Sequence, residues 1–541
     1  MPADKLLING KVYTMDAERP RASALALSGD RILVVGDGRE ELEGLLAPGG
    51  DVYDLGGRCV VPGLTDSHIH FMWYALSLRD VDLSTTTSLE EALAMVAKRA
   101  RETPPGEWVL GRRWDQERWA ERRFPTAADV DRVAPDHPVM LRAKNGHALV
   151  ANTRALELAG ITAETPDPPG ARIGRDEAGH PNGLLFEENA MDMVEDIVPL
   201  PEPGELDAAI QAAFPNAWRV GLTSIHDVDA APAFAAYQRL RAQSALGLRV
   251  VKYLPADDLD CALALDLQAG LGDDWLRVGG IKVFSDGALG AHTAAMLAPY
   301  EGMDEKDEKD EKDENKLGVL TIEAGALREL ARKAVAGNLP LAVHAIGDRA
   351  NHMVLDVLAE VGPVNLPGLP HRIEHVQLLH PDDVARLATL DVVASMQPIH
   401  ATQDWEMAER YWGERCATGY AWRSLLEAGA LLAFGSDCPV ENLNPLLGIH
   451  AAVTRCCCDG APCPEGWYPE QRLTVTEAVH AYTQGAARAV GLDDRLGSLA
   501  PGKLADLVVL DHDIFTVEPM AIAETGVVAT MIGGQVVHGA L

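Results

Sequence analysis

The clearest pattern along this chain is a set of short apolar runs, many of which stop at a polar, chemistry-bearing residue. One of them reads Val60-Val-Pro-Gly-Leu-Thr-Asp-Ser-His68-Ile-His70. Side chains alternate between the two faces of a strand, so His68 and His70 fall on one face, roughly 7 Å apart along it. With Val60–Asp66 as the first, further strand candidates are Thr223–His226, Arg249–Leu254, Gly280–Phe284, Leu341–His344, Arg372–His375, Val392–Met396 and Leu432–Gly435. They alternate with helical stretches and number eight, as a closed parallel (β/α)8 barrel requires.

The two ends of the chain read differently. Lys5–Ile8, Lys11–Thr14, Ala24–Ser28, Arg31–Val35 and Asp51–Asp54 are short strand candidates broken by Asn-Gly and Gly-Asp turn signals. Leu507–Leu510, Val527–Ile532 and Gln535–His538 repeat the pattern at the other end. Fragments this short cannot each bury a face alone, so the ends are expected to pair into one small β-domain. Residues 72–215 then form a large insertion after the first barrel strand, longer than an ordinary connection. It has its own apolar strand, Val139–Arg142. Leaving from the C-terminal rim of strand 1, it is expected to cover the barrel mouth as a lid that selects substrate. The expected organisation is therefore 1–58 and 491–541 for the β-domain, 59–71 for barrel strand 1, 72–215 for the lid and 216–490 for the rest of the barrel.

Composition narrows the picture only a little. A 541-residue chain suits a large barrel with an accessory domain, and its balance of apolar and charged residues is that of a globular protein. A formal net charge of −34 argues against a nucleic-acid or anionic-membrane partner. Part of it is local: residues 304–314 (DEKDEKDEKDE) hold eight acids and three lysines, a pattern expected of a solvated loop after barrel strand 4. The start, Met-Pro-Ala-Asp-Lys, lacks the charged-then-apolar design of a signal peptide, and no apolar run reaches 18 residues. A cytoplasmic protein with a small-molecule substrate is the expectation, with a homodimer as the assembly that suits it. Cys456-Cys457-Cys458 with Cys463 raises a second, thiolate metal site, but neighbouring cysteines rarely converge on one ion. Reduced thiols are expected instead.

The remaining candidates sit at strand ends, where barrel enzymes place their chemistry. Lys282 lies inside Gly-Gly-Ile-Lys-Val-Phe-Ser-Asp-Gly, and a lysine in an apolar strand must be neutralised or paired. Carboxylation to a carbamate and pairing with Asp286 are the two ways open to it. His344 closes Leu-Pro-Leu-Ala-Val-His, His375 closes His-Arg-Ile-Glu-His, and Asp437 ends Leu-Leu-Ala-Phe-Gly-Ser-Asp on the strand that neighbours strand 1 in a closed barrel. Four histidines, a lysine and an aspartate make a specific metal-binding combination. His147, His226, His292 and His400 are weaker candidates for touching substrate. Trp73, Trp114 and Trp119 either line an apolar pocket or build the insertion's own core. His371, Arg372 and Glu374 read as a salt-bridged frame around His375.

These residues carry a resemblance. Val61-Pro-Gly-Leu-Thr-Asp-Ser-His-Ile-His, Gly146-His-Ala-Leu-Val-Ala-Asn-Thr-Arg-Ala-Leu, Lys282-Val-Phe-Ser-Asp-Gly-Ala-Leu-Gly, Val343-His-Ala-Ile-Gly-Asp-Arg-Ala, Arg372-Ile-Glu-His-Val-Gln, Ser395-Met-Gln-Pro-Ile-His and Gly435-Ser-Asp-Cys-Pro-Val-Glu are its motifs. The tail from Gly497 to Asp511 belongs with them. The chain resembles the amidohydrolase superfamily, and within it amidohydrolase family 3, the branch that includes N-substituted formamide deformylase. The resemblance implies a metal-bearing (β/α)8 barrel beside a β-sandwich, and hydrolysis of amide or related non-peptide C–N bonds. It implies that His68, His70 and Asp437 bind the more buried metal, that His344 and His375 bind a second, and that a CO2-derived carbamate on Lys282 bridges them. Water activated by the metal would attack the carbonyl, with Asp437 shuttling the proton to the leaving nitrogen. Zinc suits such ligands, as do iron and manganese, with one or two ions per chain. A barrel of this lineage doing isomerase or decarboxylase chemistry, and a non-catalytic regulatory protein, are the alternatives.

Overall fold

The computed structural model describes residues 2–144, 148–168, 171–186, 188–199, 201–290, 292–301 and 317–541. His147 and the acidic repeat 304–314 lie outside the described residues. The chain divides into two compact units, one of Met1–Tyr74 with Asp207–Leu541 and one of Ala75–Leu206.

The first unit holds the barrel. Its strands are β1 (Leu64–Ile69), β2 (Leu222–Asp227), β3 (Arg249–Pro255), β4 (Leu276–Phe284), β5 (Leu341–Ala345), β6 (Arg372–His375), β7 (Val393–Met396) and β8 (Leu432–Phe434). Each pairs in parallel with the next, in sequence order, to give one eight-stranded sheet. Closure occurs just beyond the last ladder positions: the Asp437 N–H donates to His68 O at 2.8 Å, and the His70 N–H donates to Cys438 O at 2.9 Å. The backbone bonds that close the barrel thus belong to candidate site residues. β1 and β2 are buried at every position, as strands covered on both faces must be.

The same unit carries the sandwich. One sheet orders Arg31–Gly36, Ala24–Ser28, Ala3–Ile8 and Leu46–Asp54. The other orders Gln535–Gly539, Val527–Ile532, Leu507–Leu510, Cys59–Pro62, Lys11–Tyr13 and Arg21–Ala22, so both chain ends contribute to it. Leu7, Leu25 and Leu27 from the first sheet pack with Val60, Leu507, Val509 and Met531 from the second. The expected strand Val60–Asp66 is in fact two strands. Cys59–Pro62 pairs antiparallel with Leu507–Leu510 in the sandwich, and β1 begins at Leu64. Pro62 has no N–H to continue a ladder. Gly63 passes so close to β2 that a Cβ there would lie 2.3 Å from Thr223 Oγ1. One apolar run therefore serves two sheets, and the Pro-Gly step turns it from one into the other.

The second unit is a six-stranded sheet in the order Arg172–Arg175, Pro181–Phe186, Ala148–Ala151, Val139–Ala143, Val109–Trp114 and Val81–Asp82. Helix Leu89–Glu102, capped by Ser88 accepting from the Glu91 N–H, sets Leu89, Leu93 and Val96 against Trp114, Val139 and Leu141. Alternate strand positions, Leu149, Ala151, Ile173 and Leu185, pack with Met191 and Val194. The unit is thus a sheet with two apolar cores of its own. Among the described residues, no helix is long and apolar enough to cross a membrane.

Candidate metal centre

The C-terminal ends of β1, β4, β5, β6 and β8 bring the candidate residues together. His68 lies inside β1 and His70 just past it, and their ring centroids are 5.8 Å apart. His68 Nδ1 donates to Glu374 Oε2 at 2.5 Å, and His70 Nδ1 donates to Asp229 Oδ1 at 3.1 Å. Ionised carboxylates only accept hydrogen bonds, so each Nδ1 carries the proton and each Nε2 presents a lone pair. Those Nε2 atoms lie 3.5 and 3.6 Å from Asp437 Oδ1. Three electron-pair donors thus converge on one point with no proton among them. A cation at that point satisfies all three.

A second cluster shares Asp437. His375 Nδ1 donates to Gln397 Oε1 at 2.8 Å, which leaves its Nε2 free to ligate. The His375 ring stands 4.8 Å from His68 and 4.6 Å from His344. His344 uses Nε2 on Gly287 O at 3.1 Å and so offers Nδ1. His400, on the helix that follows β7, places Nε2 3.3 Å from Asp437 Oδ2. Two triads have ligand atoms mutually within 4.8 Å among the described residues: His68, His70 and Asp437, and His375, His400 and Asp437. His344 is in neither, and His400, a weak expectation from sequence, is in the second.

Backbone geometry supports the convergence. Asp437 has φ 60° and His375 φ 74°, a left-handed conformation that residues with a Cβ avoid unless their surroundings hold them there. The Asp437 N–H on His68 O is one such hold.

Electrostatics fit neutral imidazoles at His68, His344 and His375 around an ionised carboxylate. At His70, by contrast, burial is outweighed by the hydrogen bond and charge of Asp229, which shift it upward. Burial, with the Lys282 ammonium, pushes His68 down to about 4; the same causes push His344 to about 3. Burial and its histidine neighbours hold His375 well below the usual range. Burial alone would raise Asp437, but the His400 hydrogen bond and nearby imidazoles hold its carboxyl well below the ordinary carboxylate range. His400 moves the other way: its bonds to Asp437 and Glu441 outweigh burial and lift it to about 10.

Lys282 is the most telling side chain. It is 3% exposed, and its Nζ has no hydrogen-bond partner among the described residues. The expected alternative, a pair with Asp286, does not form. Asp286 instead accepts from the N–H groups of Ala295, Ile346 and Gly347 at 2.8–3.0 Å, tying down the loops after β4 and β5. Burial lowers the Lys282 amine to about 8. An orphaned buried amine beside two imidazole clusters fits a group that the chain itself does not supply.

The other expectations fall in several places. His226 is buried and its Nδ1 accepts from Arg372 Nη1 at 3.0 Å, so it stands under the cluster as part of a frame. In that frame Arg372 Nε donates to Glu374 Oε1 at 2.5 Å, while Glu374 Oε2 orients His68. His371 braces the barrel, accepting the Leu341 N–H at 3.0 Å and reaching Gly362 O. His292 packs on Tyr411 and Tyr300, with centroids 4.2 and 5.6 Å away. Trp114 and Trp119 are buried in the second unit, bonded through their indole N–H groups to Leu141 O and Thr86 Oγ1. Trp73 is exposed, 6.2 Å from the His70 ring. All eight cysteines are free thiols, and none joins a candidate metal cluster among the described residues. Sequence reasoning missed Asp229 and Gln397, the partners that orient His70 and His375. Asp229 ends the run His226-Asp-Val-Asp, and Gln397 lies in Ser-Met-Gln-Pro-Ile-His; both carry polar groups past a strand end, the signal used for the ligands themselves.

Comparison with known proteins agrees with this geometry. The model of the "Amidohydrolase family" matches residues 51–538. The Arabidopsis thaliana protein LONG AFTER FAR-RED 3 is 34% identical over 98% of this chain and 91% of its own length. N-substituted formamide deformylase of Arthrobacter pascens is 30% identical over 98% of this chain and 97% of its own. The crystal structure of an uncharacterized metal-dependent hydrolase from Pyrococcus horikoshii OT3 superposes with a TM-score of 0.80 at 30% identity, covering 95% of this chain and 99% of that one. With the motifs spread along the barrel and the match running nearly end to end, this chain belongs to the amidohydrolase family.

Proposed function

We propose that this metal-dependent hydrolase cleaves an amide-type, non-peptide C–N bond of a small molecule. The observation that carries the reading is the set of unprotonated donors, His68 Nε2, His70 Nε2 and Asp437 Oδ1, facing one another around a point beside the unpartnered Lys282 Nζ. His68, His70 and Asp437 would hold one divalent ion. His344 and His375 would hold a second, with Lys282 bridging as its carbamate. The depressed Lys282 amine favours this, because the neutral amine adds CO2 and releases a proton. Imidazole and carboxylate donors suit zinc.

When bound, such ions supply Lewis acidity, lowering the pKa of water and polarising a carbonyl. The chain's own residues do the rest. Glu374, Asp229 and Gln397 fix the tautomers of His68, His70 and His375, so that each ring offers Nε2. Asp437 takes the proton from the attacking water and delivers it to the departing nitrogen, so that water and amide become carboxylic acid and amine. His400 holds the second oxygen of Asp437 and limits its rotation.

The test is metal analysis of the purified chain joined to an amine-release screen. N-substituted formamides, anilides, lactams and carbamates would be offered to the zinc-loaded protein. Bound metal at one or two equivalents with amine release from at least one class is expected. A chain that takes up no divalent metal, or one that is loaded and releases amine from none of them, ends the reading.

A further inference from the structure

Two aromatic side chains of the first unit are exposed in a place that calls for a reason. Trp73 is 57% exposed and Phe284 51%. Single exposed apolar residues are common, and Leu265 at 73% is one. Trp73 and Phe284 differ in where they stand. Rings run in contact from Trp73 to His70 (6.2 Å), on through His68 (5.8 Å), His375 (4.8 Å) and His344 (4.6 Å), and end at Phe284 (5.2 Å). The row of candidate ligand histidines therefore begins and ends on an exposed aromatic.

Local geometry aims both of them. Trp73 sits one helical turn beyond His70, whose carbonyl accepts the Tyr74 N–H at 2.9 Å. Phe284 is two residues past Lys282 on β4, so strand alternation gives the two one face. The Phe284 ring lies 4.7 Å from Lys282 Nζ. Neither aromatic carries a group able to take part in breaking a C–N bond. What both offer is flat apolar surface at the two ends of that row of rings.

We infer that Trp73 and Phe284 determine specificity, gripping apolar groups on the two sides of the scissile bond. The substrate is then a small amide bearing an aryl or bulky alkyl substituent, rather than a charged, amino-acid-like amide. This rests on the hydrolase reading above.

N-benzylacetamide and N-methylacetamide separate the possibilities, offered to the zinc-loaded full chain. The wild type should prefer the benzyl amide in kcat/KM by tenfold or more, the range one apolar contact supplies. Whichever of Trp73→Ala and Phe284→Ala removes the ring on the amine side should lower that preference at least fivefold, mainly through KM. Both residues are exposed, and unchanged unfolding midpoints will show that the variants fold. If neither amide is cleaved, calorimetric binding of benzylamine against methylamine to the same zinc-loaded protein decides. Tighter benzylamine binding, weakened in one of the two variants, upholds the aromatic grip even if the hydrolase reading falls. Equal binding of the two amines, no binding of benzylamine, or a preference that neither substitution moves overturns it.

Discussion

Lys252 and Lys282 stand on adjacent strands of one barrel, both buried, both inside apolar runs, and their surroundings are opposite. Lys252 Nζ lies 2.8 Å from Asp227 Oδ1 and also donates to the Asp229 carbonyl. Asp227 is held in turn by the Tyr237 hydroxyl at 2.7 Å and the Phe71 N–H at 3.2 Å. That region is electrostatically complete. Around Lys282 the fold stops short: its Nζ has no hydrogen-bond partner among the described residues and faces the ring of Phe284. A buried ammonium left alone costs several kcal/mol, so a fold that completes one lysine and not its neighbour leaves the second for a group from outside. Burial says where a charge is costly; the partner says whether the protein or a ligand meets that cost.

The largest effect should appear at the residue on which both triads depend. Asp437→Asn keeps the shape and one donor oxygen but removes the proton acceptor. Turnover should fall by about two to four orders of magnitude, the usual worth of a general acid–base. Zinc content should stay at half the wild-type level or more. Metal analysis beside steady-state rates checks this, and an Asn variant that still turns over removes Asp437 from the proton path.

The two lysines themselves give the next comparison. Lys252→Met strands Asp227 as a buried, unpaired carboxylate, and should cost about 3–5 kcal/mol in urea unfolding of the metal-free protein. Lys282→Met removes an ammonium that no described residue pairs, so metal-free stability should hold or rise. Its losses should be in bound metal and in turnover. Equal destabilisation by the two substitutions would mean that Lys282 has a partner inside the protein, and the contrast between the regions would collapse.

This pair also marks what the sequence can and cannot say. The barrel strands are legible because each is a short apolar run ending in polar residues, and the register that sets His344 beside Phe284 follows from it. The Pro62-Gly63 step is not legible as a strand break, since only contact with Thr223 on β2 shows that the chain must turn there. Lys282 stands out as a lysine in an apolar strand, yet Lys252, in Val-Val-Lys-Tyr-Leu, has the same local pattern. Their difference lies in Asp227 and Asp229, which come from β2 and its end. His226 and His400 repeat the lesson. Both lie at or just past a strand end, but Arg372 claims the first and Asp437 the second. Composition and periodicity report how a residue is placed on its own element, whereas these roles depend on which side chain arrives from another.

The smallest of these effects should come from Asp229, where the two regions meet. Its carbonyl accepts Lys252, on the complete side, and its carboxylate orients His70, on the open side. Burial, with Asp227 close by, raises the Asp229 carboxyl to about 6, so the fold gains little from its charge. Asp229→Asn keeps the backbone contact to Lys252 and relieves the repulsion with Asp227. Stability should therefore change far less than in Lys252→Met. What is lost is a carboxylate that accepts the His70 Nδ1 proton and makes Nε2 a stronger donor. Outer partners of this kind are worth about 10–100-fold in metal affinity. Competition against a chromophoric chelator should show zinc weakened by that factor, with the unfolding midpoint of the metal-free protein within a few degrees of wild type. If instead the affinity stays put and the midpoint drops as far as in Lys252→Met, Asp229 belongs wholly to the structural side, and His70 is oriented by something else.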